Sequence, residues 1–208
     1  MQRNDWHIAD FIHTYIEGFI YNDIERCIEA EANHVVALAL FSYTEFIGGL
    51  ISGNLGKGDA KGNFGRALKY FPEEYRKINS SIRIRYIDNK GKLKTHKTGI
   101  YDVFRCGLVH EYFIKGHVLI YNNPDGHTDE HIGILRKEHE MEFPSETGLP
   151  SYTSEYLEFH ANEYFRDFKS AVAKILKLLL IDKDEELLEG FNESLDRINS
   201  RRIVFETT

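Results

Sequence analysis

The sequence predicts a mainly helical fold, an antiparallel helical bundle carrying one or two small β-hairpins. Three observations predict it. Apolar residues recur at three- and four-residue spacing over most of the chain, two short runs rich in β-branched and aromatic residues interrupt that rhythm, and strong turn signals bound both runs. At 208 residues the chain fits one domain. Folding at that size buries roughly 70% of the surface of the extended chain, so a core needs no disulfide or metal to hold it.

From Trp6 to Ile28 the apolar positions are Ile8, Phe11, Ile12, Tyr15, Ile16, Phe19, Ile20, Ile24, Cys27 and Ile28, a helix of about six turns. A second helix spans Asn33 to Ile51 and ends at Ser52-Gly53-Asn54. Phe64 to Phe71 reads as a shorter helix stopped by Pro72, with a brief helical piece after it. Residues 82–97 alternate in character and contain the turn Asp88-Asn89-Lys90-Gly91, which predicts a hairpin. Thr98 is placed to cap a helix from Gly99 to about Phe113. Val118–Tyr121, the turn Asn123-Pro124-Asp125-Gly126 and Ile132–Leu135 predict a second hairpin within 117–143. A long helix from about Thr153 to Leu180 and a last one from Lys183 to Asn199 complete a single domain, 1–208, with 82–97 and 117–143 as hairpin insertions.

An apolar fraction of 42% and a charged fraction of 28% are those of an ordinary globular protein. The net charge of −7 argues against a surface coated with basic patches for long duplexes, while leaving room for a small local basic site. The first five residues, Met1 to Asp5, lack the apolar core of a signal peptide. Glu45 interrupts the longest uncharged run, Val35 to Ile51. A cytoplasmic protein without a membrane span is therefore expected, with Cys27 and Cys106 as reduced thiols rather than a disulfide pair.

Two motifs suggest chemistry and then lose it. Gly53-Asn54-Leu55-Gly56-Lys57-Gly58 resembles a phosphate-binding loop, but Ile51 occupies the place of the first glycine and Gly58 that of the magnesium-binding hydroxyl. It also follows a helix rather than a strand, so a flexible connection is the better reading. His127-Thr128-Asp129-Glu130-His131 matches an inverted zinc-protease pattern, yet it follows a turn between strand-like runs, and that chemistry requires a helix. A surface hairpin loop is the plainer reading, with a zinc hydrolase as a distant third function. No cofactor or metal is expected.

The segment Gly99 to Phe113 carries more. Ile100, Val103, Phe104, Gly107 and Leu108 form one buried face, while Val109 and Phe113 point to nearly the opposite side, where a second copy of the chain would fit. Arg105 and His110 stand five residues apart, about 140° round an ideal helix. Asp102, Cys106 and His110 follow one another at four-residue spacing. Glu45 is the only charged residue between Val35 and Gly56. If buried it needs a cation, for which Arg105 or His110 is the natural partner; otherwise it lies at a helix edge facing water. The plain alternatives are an Arg105–Asp102 pair and a satisfied core histidine at His110.

Arg105-Cys106-Gly107-Leu108-Val109-His110, an Arg and a His separated by four residues on a late helix, resembles the motif of the HEPN superfamily. The likeness covers the helical frame, about two thirds of the chain, with six residues of specific motif. It implies an HEPN-like bundle acting as a metal-independent endoribonuclease of a defence or toxin–antitoxin kind, with the motifs of two subunits sharing one cleft. An RNA 2′-hydroxyl would attack the adjacent phosphorus and leave a 2′,3′-cyclic phosphate. His110 would serve as general acid or base, since histidine's ordinary pKa of about 6.5 suits neutral pH. Arg105 would hold the phosphate, with Cys106, Glu45 and Asp102 in support. Cys106 departs from the polar residue usual after the Arg in catalytic members, and a thiol is a poor hydrogen-bond donor. It reads either as a packing residue or as a reactive thiol beside Arg105. The resemblance also admits a non-catalytic RNA-binding or protein-interaction module, or a toxin held by an antitoxin protein.

Overall fold

The computed structural model describes residues 5–110, 118–122, 132–141 and 152–200, and over these the chain is mainly helical with two small sheets. Helix α1 runs without a break through an α-helical Asp5–Phe11, a π-helical Ile12–Tyr21 and an α-helical Asn22–Glu29. Its isoleucines explain the change of winding. Ile8, Ile12, Ile16, Ile20, Ile24 and Ile28 stand four residues apart, and all are buried. An α-helix turns about 100° per residue and a π-helix, with about 4.4 residues per turn, about 82°. A pure α-helix would carry such a stripe roughly 200° round the axis between Ile8 and Ile28. With ten residues in π geometry the drift falls to roughly 20°, and every isoleucine faces the core.

Helix α2, Asn33–Ile51, is apolar and long enough to cross a membrane by composition, but here it is the central helix of the bundle. Its neighbours are α1, α3 (Ala60–Ala67), α5 (Tyr101–Cys106 in π form, then Gly107–His110 in α form), α6 (Ala161–Leu180) and α7 (Glu185–Ser200). Being surrounded explains why it carries so little charge. Phe41, at its middle, meets the rings of Phe64, Phe104, Phe159 and Tyr164 at 4.7–6.0 Å. Close approach requires small residues: a Cβ on Gly48 would run into the Asn63 carbonyl of α3, and one on Gly190 into the Ile51 carbonyl.

Helix α4, Glu73–Ser81, follows Pro72 and leads into the expected hairpin, β1 (Arg83–Ile87) with β2 (Leu93–Lys97). Asp88 shapes its turn, accepting from the backbone N–H groups of Lys90 and Lys92 at 2.9 Å each. Thr98 does not cap α5. Its hydroxyl donates to Asp102, while the Ile100 N–H finds the side-chain oxygen of Asn79, from α4, at 2.8 Å. The expected extension of α5 from residue 111 to Phe113 lies outside the described residues.

Two further expectations are corrected. Residues 153–160 are not helical: Tyr152–His160 is strand β5, and α6 begins at Ala161. The strand-like runs within 117–143 do form β3 (Val118–Tyr121) and β4 (Ile134–Met141), but not a hairpin with each other. β5 lies between them, parallel to β3 and antiparallel to β4. The physical reason is alternation. Leu157 and Phe159 are buried beside Ile134, while Tyr156 and Glu158, between and beside them, are only partly buried, the two-residue period of a strand; His160, at its end, is buried as well. Behind the sheet, buried polar groups are paired in a chain: the Gly133 N–H donates to Tyr75 Oη, which donates to Asp167 Oδ2 at 2.6 Å.

Candidate functional site

Glu45, from the middle of α2, and Arg105, from α5, are brought together. Arg105 Nε lies 3.1 Å from Glu45 Oε2, and the two side chains are 24% and 21% exposed. That nitrogen is cut off from water and lacks the alignment of a hydrogen bond, so charge holds the contact. Tyr101 donates its hydroxyl to the same Glu45 oxygen at 3.4 Å, and the guanidinium carbon stands 6.0 Å from the Tyr101 ring centre. Burial first, then Glu45, push the Tyr101 phenol up to about 12, which keeps it a donor at neutral pH. The π turn contributes to this grouping. In that winding the fourth and fifth residues after Tyr101, Arg105 and Cys106, flank its face of the helix.

The other expected residues divide. Asp102 is engaged by Lys61 of α3 at 2.5 Å and by Thr98 at 3.2 Å; no Arg105–Asp102 pair forms. Cys106 is half-buried against the core, and both it and Cys27 are free thiols. His110 is the last described residue of α5, five residues or about 7 Å along the axis from Arg105. Its side chain is outside what the structure describes. The arrangement therefore presents a guanidinium that is oriented by a carboxylate, reaches solvent and lies on the helix that carries the histidine. A guanidinium so placed can fork onto an oxyanion such as phosphate, in competition with its own carboxylate partner.

Elsewhere the glycine-rich loop behaves as a connection. Gly53, Gly56 and Gly58 take positive φ, which tight turning there requires, and Lys57 pairs with Glu193 of α7 at 2.6 Å. An open cleft of about 320 Å³ lies at the end of α2, lined by Arg66, Lys69, Tyr70, Glu186, Glu189 and Glu193 among others, and includes none of the expected site residues. His127 to His131 fall outside the described residues. Among the described residues no cluster of three metal-ligating side chains occurs.

One cluster escaped sequence reasoning. On the face of β5 opposite Leu157 and Phe159, His160 Nε2, largely buried, is 3.2 Å from Glu158 Oε2, Tyr156 donates to Glu158 Oε1 at 3.2 Å, and Tyr121 stacks on the His160 ring at 4.9 Å. Its signal was the alternation of Tyr156, Glu158 and His160 with Leu157 and Phe159, which a helical reading of the segment hid. Its polar groups satisfy one another, as a structural cluster would. Comparison with models of known families, with curated proteins and with solved structures finds no match to this chain.

Proposed function

We propose that this chain is an HEPN-like endoribonuclease that cleaves single-stranded RNA without a metal ion, through Arg105 and His110. The supporting observation is the partly exposed Arg105 guanidinium, paired with Glu45 and beside Tyr101, on the helix that carries His110. In this reading the guanidinium binds the scissile phosphate and stabilises the charge that gathers on it in the transition state. His110 moves the proton between the 2′-hydroxyl and the leaving 5′-oxygen. Val109, next to His110 and 38% exposed, supports a second copy docking along this helix so that two motifs share one cleft. A defence or toxin role, with an antitoxin protein as partner, follows from the same resemblance.

A specific observation favours a second reading. Glu45 already neutralises Arg105, and Cys106 supplies no strong hydrogen-bond donor beside it, as suits a non-catalytic RNA-binding or protein-interaction module. The two readings separate on labelled single-stranded RNA incubated with purified protein in EDTA. Cleavage that persists in EDTA and is lost in Arg105→Ala and His110→Ala supports the nuclease. RNA binding without cleavage, from a folded protein, supports the module. Cleavage abolished by EDTA contradicts both.

A further inference from the structure

The β1–β2 ribbon has a charge opposite to that of the chain that carries it. Residues 82–97 hold six of the 26 Lys and Arg (Arg83, Arg85, Lys90, Lys92, Lys94 and Lys97) but only one of the 33 Asp and Glu, Asp88. A protein of net charge −7 has thus gathered a local charge of +5 on one small element. The two strands pair with each other and with no other described strand. Every residue of β2 is exposed, and the root, at Ile82 and Ile84, packs on the core.

Among the described residues little compensates these cations. Arg83 donates to the carbonyls of Ser80 and Ile82, which end α4, and Lys94 stands 4.0 Å from Asp88. Among the described residues no carboxylate pairs with Lys90, Lys92 or Lys97. The register sets Arg83 directly opposite Lys97, a like-charge pair that costs stability in a two-stranded ribbon that is marginal already. Lysines do guard an exposed strand edge against aggregation, but Lys90 and Lys92 stand in the turn, where there is no strand edge to guard.

The sign of the charge indicates the kind of partner. Lys90 and Lys92 stand in the turn and Lys94 and Lys97 on β2, so four flexible, exposed ammonium groups lie within eight residues with no acidic residue among them. A cluster of one sign complements a linear polymer with a regularly repeated charge better than it complements the irregular mixed surface of a folded protein. The ribbon also joins α5 directly, with Lys97 eight residues before Arg105.

We propose that the β1–β2 ribbon is a cationic arm that binds the phosphodiester backbone of single-stranded RNA and holds the strand whose scissile phosphate reaches Arg105. The choice of RNA rests on the function proposed above; the charge pattern stands without it. Binding through lysines of this type is independent of sequence and strongly dependent on salt, because each neutralised phosphate releases counterions.

The test measures affinity and its salt slope by fluorescence anisotropy with a labelled 20-nucleotide 2′-O-methyl oligouridine, which this chemistry cannot cleave. The full chain is compared with Lys90→Gln/Lys92→Gln and with the quadruple Lys90→Gln/Lys92→Gln/Lys94→Gln/Lys97→Gln, Asp88 being kept because it shapes the turn. At about 0.7 in the slope of log K against log salt per single-strand contact, the double variant should lose about 1.4 and the quadruple about 2.8. The quadruple should bind of the order of 100-fold more weakly at 0.1 M salt, with unchanged circular dichroism. If the wild type binds RNA and the variants match it in affinity and slope, the arm is refuted while the nuclease reading stands. If the wild type binds no RNA, both fall. Oligoglutamate competing as well as RNA would overturn the arm in favour of an acidic protein partner.

Discussion

The contact between α2 and α3 makes a prediction whose sign differs at two glycines. Gly48 faces the backbone of α3, and a methyl group there would overlap the Asn63 carbonyl. Backbone cannot rotate away as a side chain can, so α3 must move as a body. That disturbs the neighbouring contact of Gly49 with Asn63 and the Lys61–Asp102 pair. Overpacking of this kind costs about 3 kcal/mol at the upper end of its usual range. Replacing glycine by alanine within a helix returns about 1 kcal/mol of propensity. Gly48→Ala should therefore destabilise by about 2 kcal/mol, lowering Tm by roughly 4–8 °C in a domain of this size. Gly65 lies on the exposed side of α3, where a Cβ would meet nothing within 4 Å. Gly65→Ala gains the propensity without the clash and should raise Tm by roughly 2–4 °C. Thermal and urea unfolding followed by circular dichroism measure both. A Gly48→Ala protein as stable as the parent would refute the close approach.

Three further outcomes follow from packing and charge. The π-wound stripe of α1 makes Ile16 a core residue beside an exposed neighbour, so Ile16→Ala should cost about 2–5 kcal/mol and Tyr15→Ala, at a position 53% exposed, less than about 1 kcal/mol by urea unfolding. A double-mutant cycle with Glu45→Gln and Arg105→Gln should give a coupling of about 1 kcal/mol, as suits a half-buried ion pair; no coupling would mean the two charges do not meet. Burial raises the Asp167 carboxyl above its ordinary value, opposed by the Tyr75 hydrogen bond. Between the unfolded and the raised folded values the native state holds a proton that the unfolded chain releases, so this group's contribution to stability falls as pH rises through that window. In Asp167→Asn, whose amide oxygen still accepts from Tyr75, urea midpoints should lose that part of their decline; an unchanged pH profile would remove Asp167 as its source.

How far the sequence could be read depended on whether a signal was local. The Glu45–Arg105 pair was legible because one carboxylate on an otherwise uncharged buried helix must find a cation, and few were within reach. The ribbon at residues 82–97 was legible because its turn chemistry lies within the segment itself. The strand at Tyr152–His160 was not, because it precedes a strong helix without a break and its identity comes from being sandwiched between β3 and β4. The same long-range pairing replaced the expected second hairpin. The π winding of α1 had a signal, six isoleucines at a strict spacing of four, which neither 3.6 nor a mixed three-and-four period explains. Thr98 was in the right place to cap α5, but Asn79 arrived from another helix to do so.

The central claim is that Arg105 and His110 perform proton transfer and phosphate binding on RNA with no metal. The most direct measurement is mass spectrometry of the fragment ends produced from single-stranded RNA in EDTA by the wild type and by a folded His110→Ala protein. A 2′,3′-cyclic phosphate and a 5′-hydroxyl from the wild type, with neither from His110→Ala, is the predicted result. Fragments ending in a 5′-phosphate, or identical products from both proteins, would contradict it.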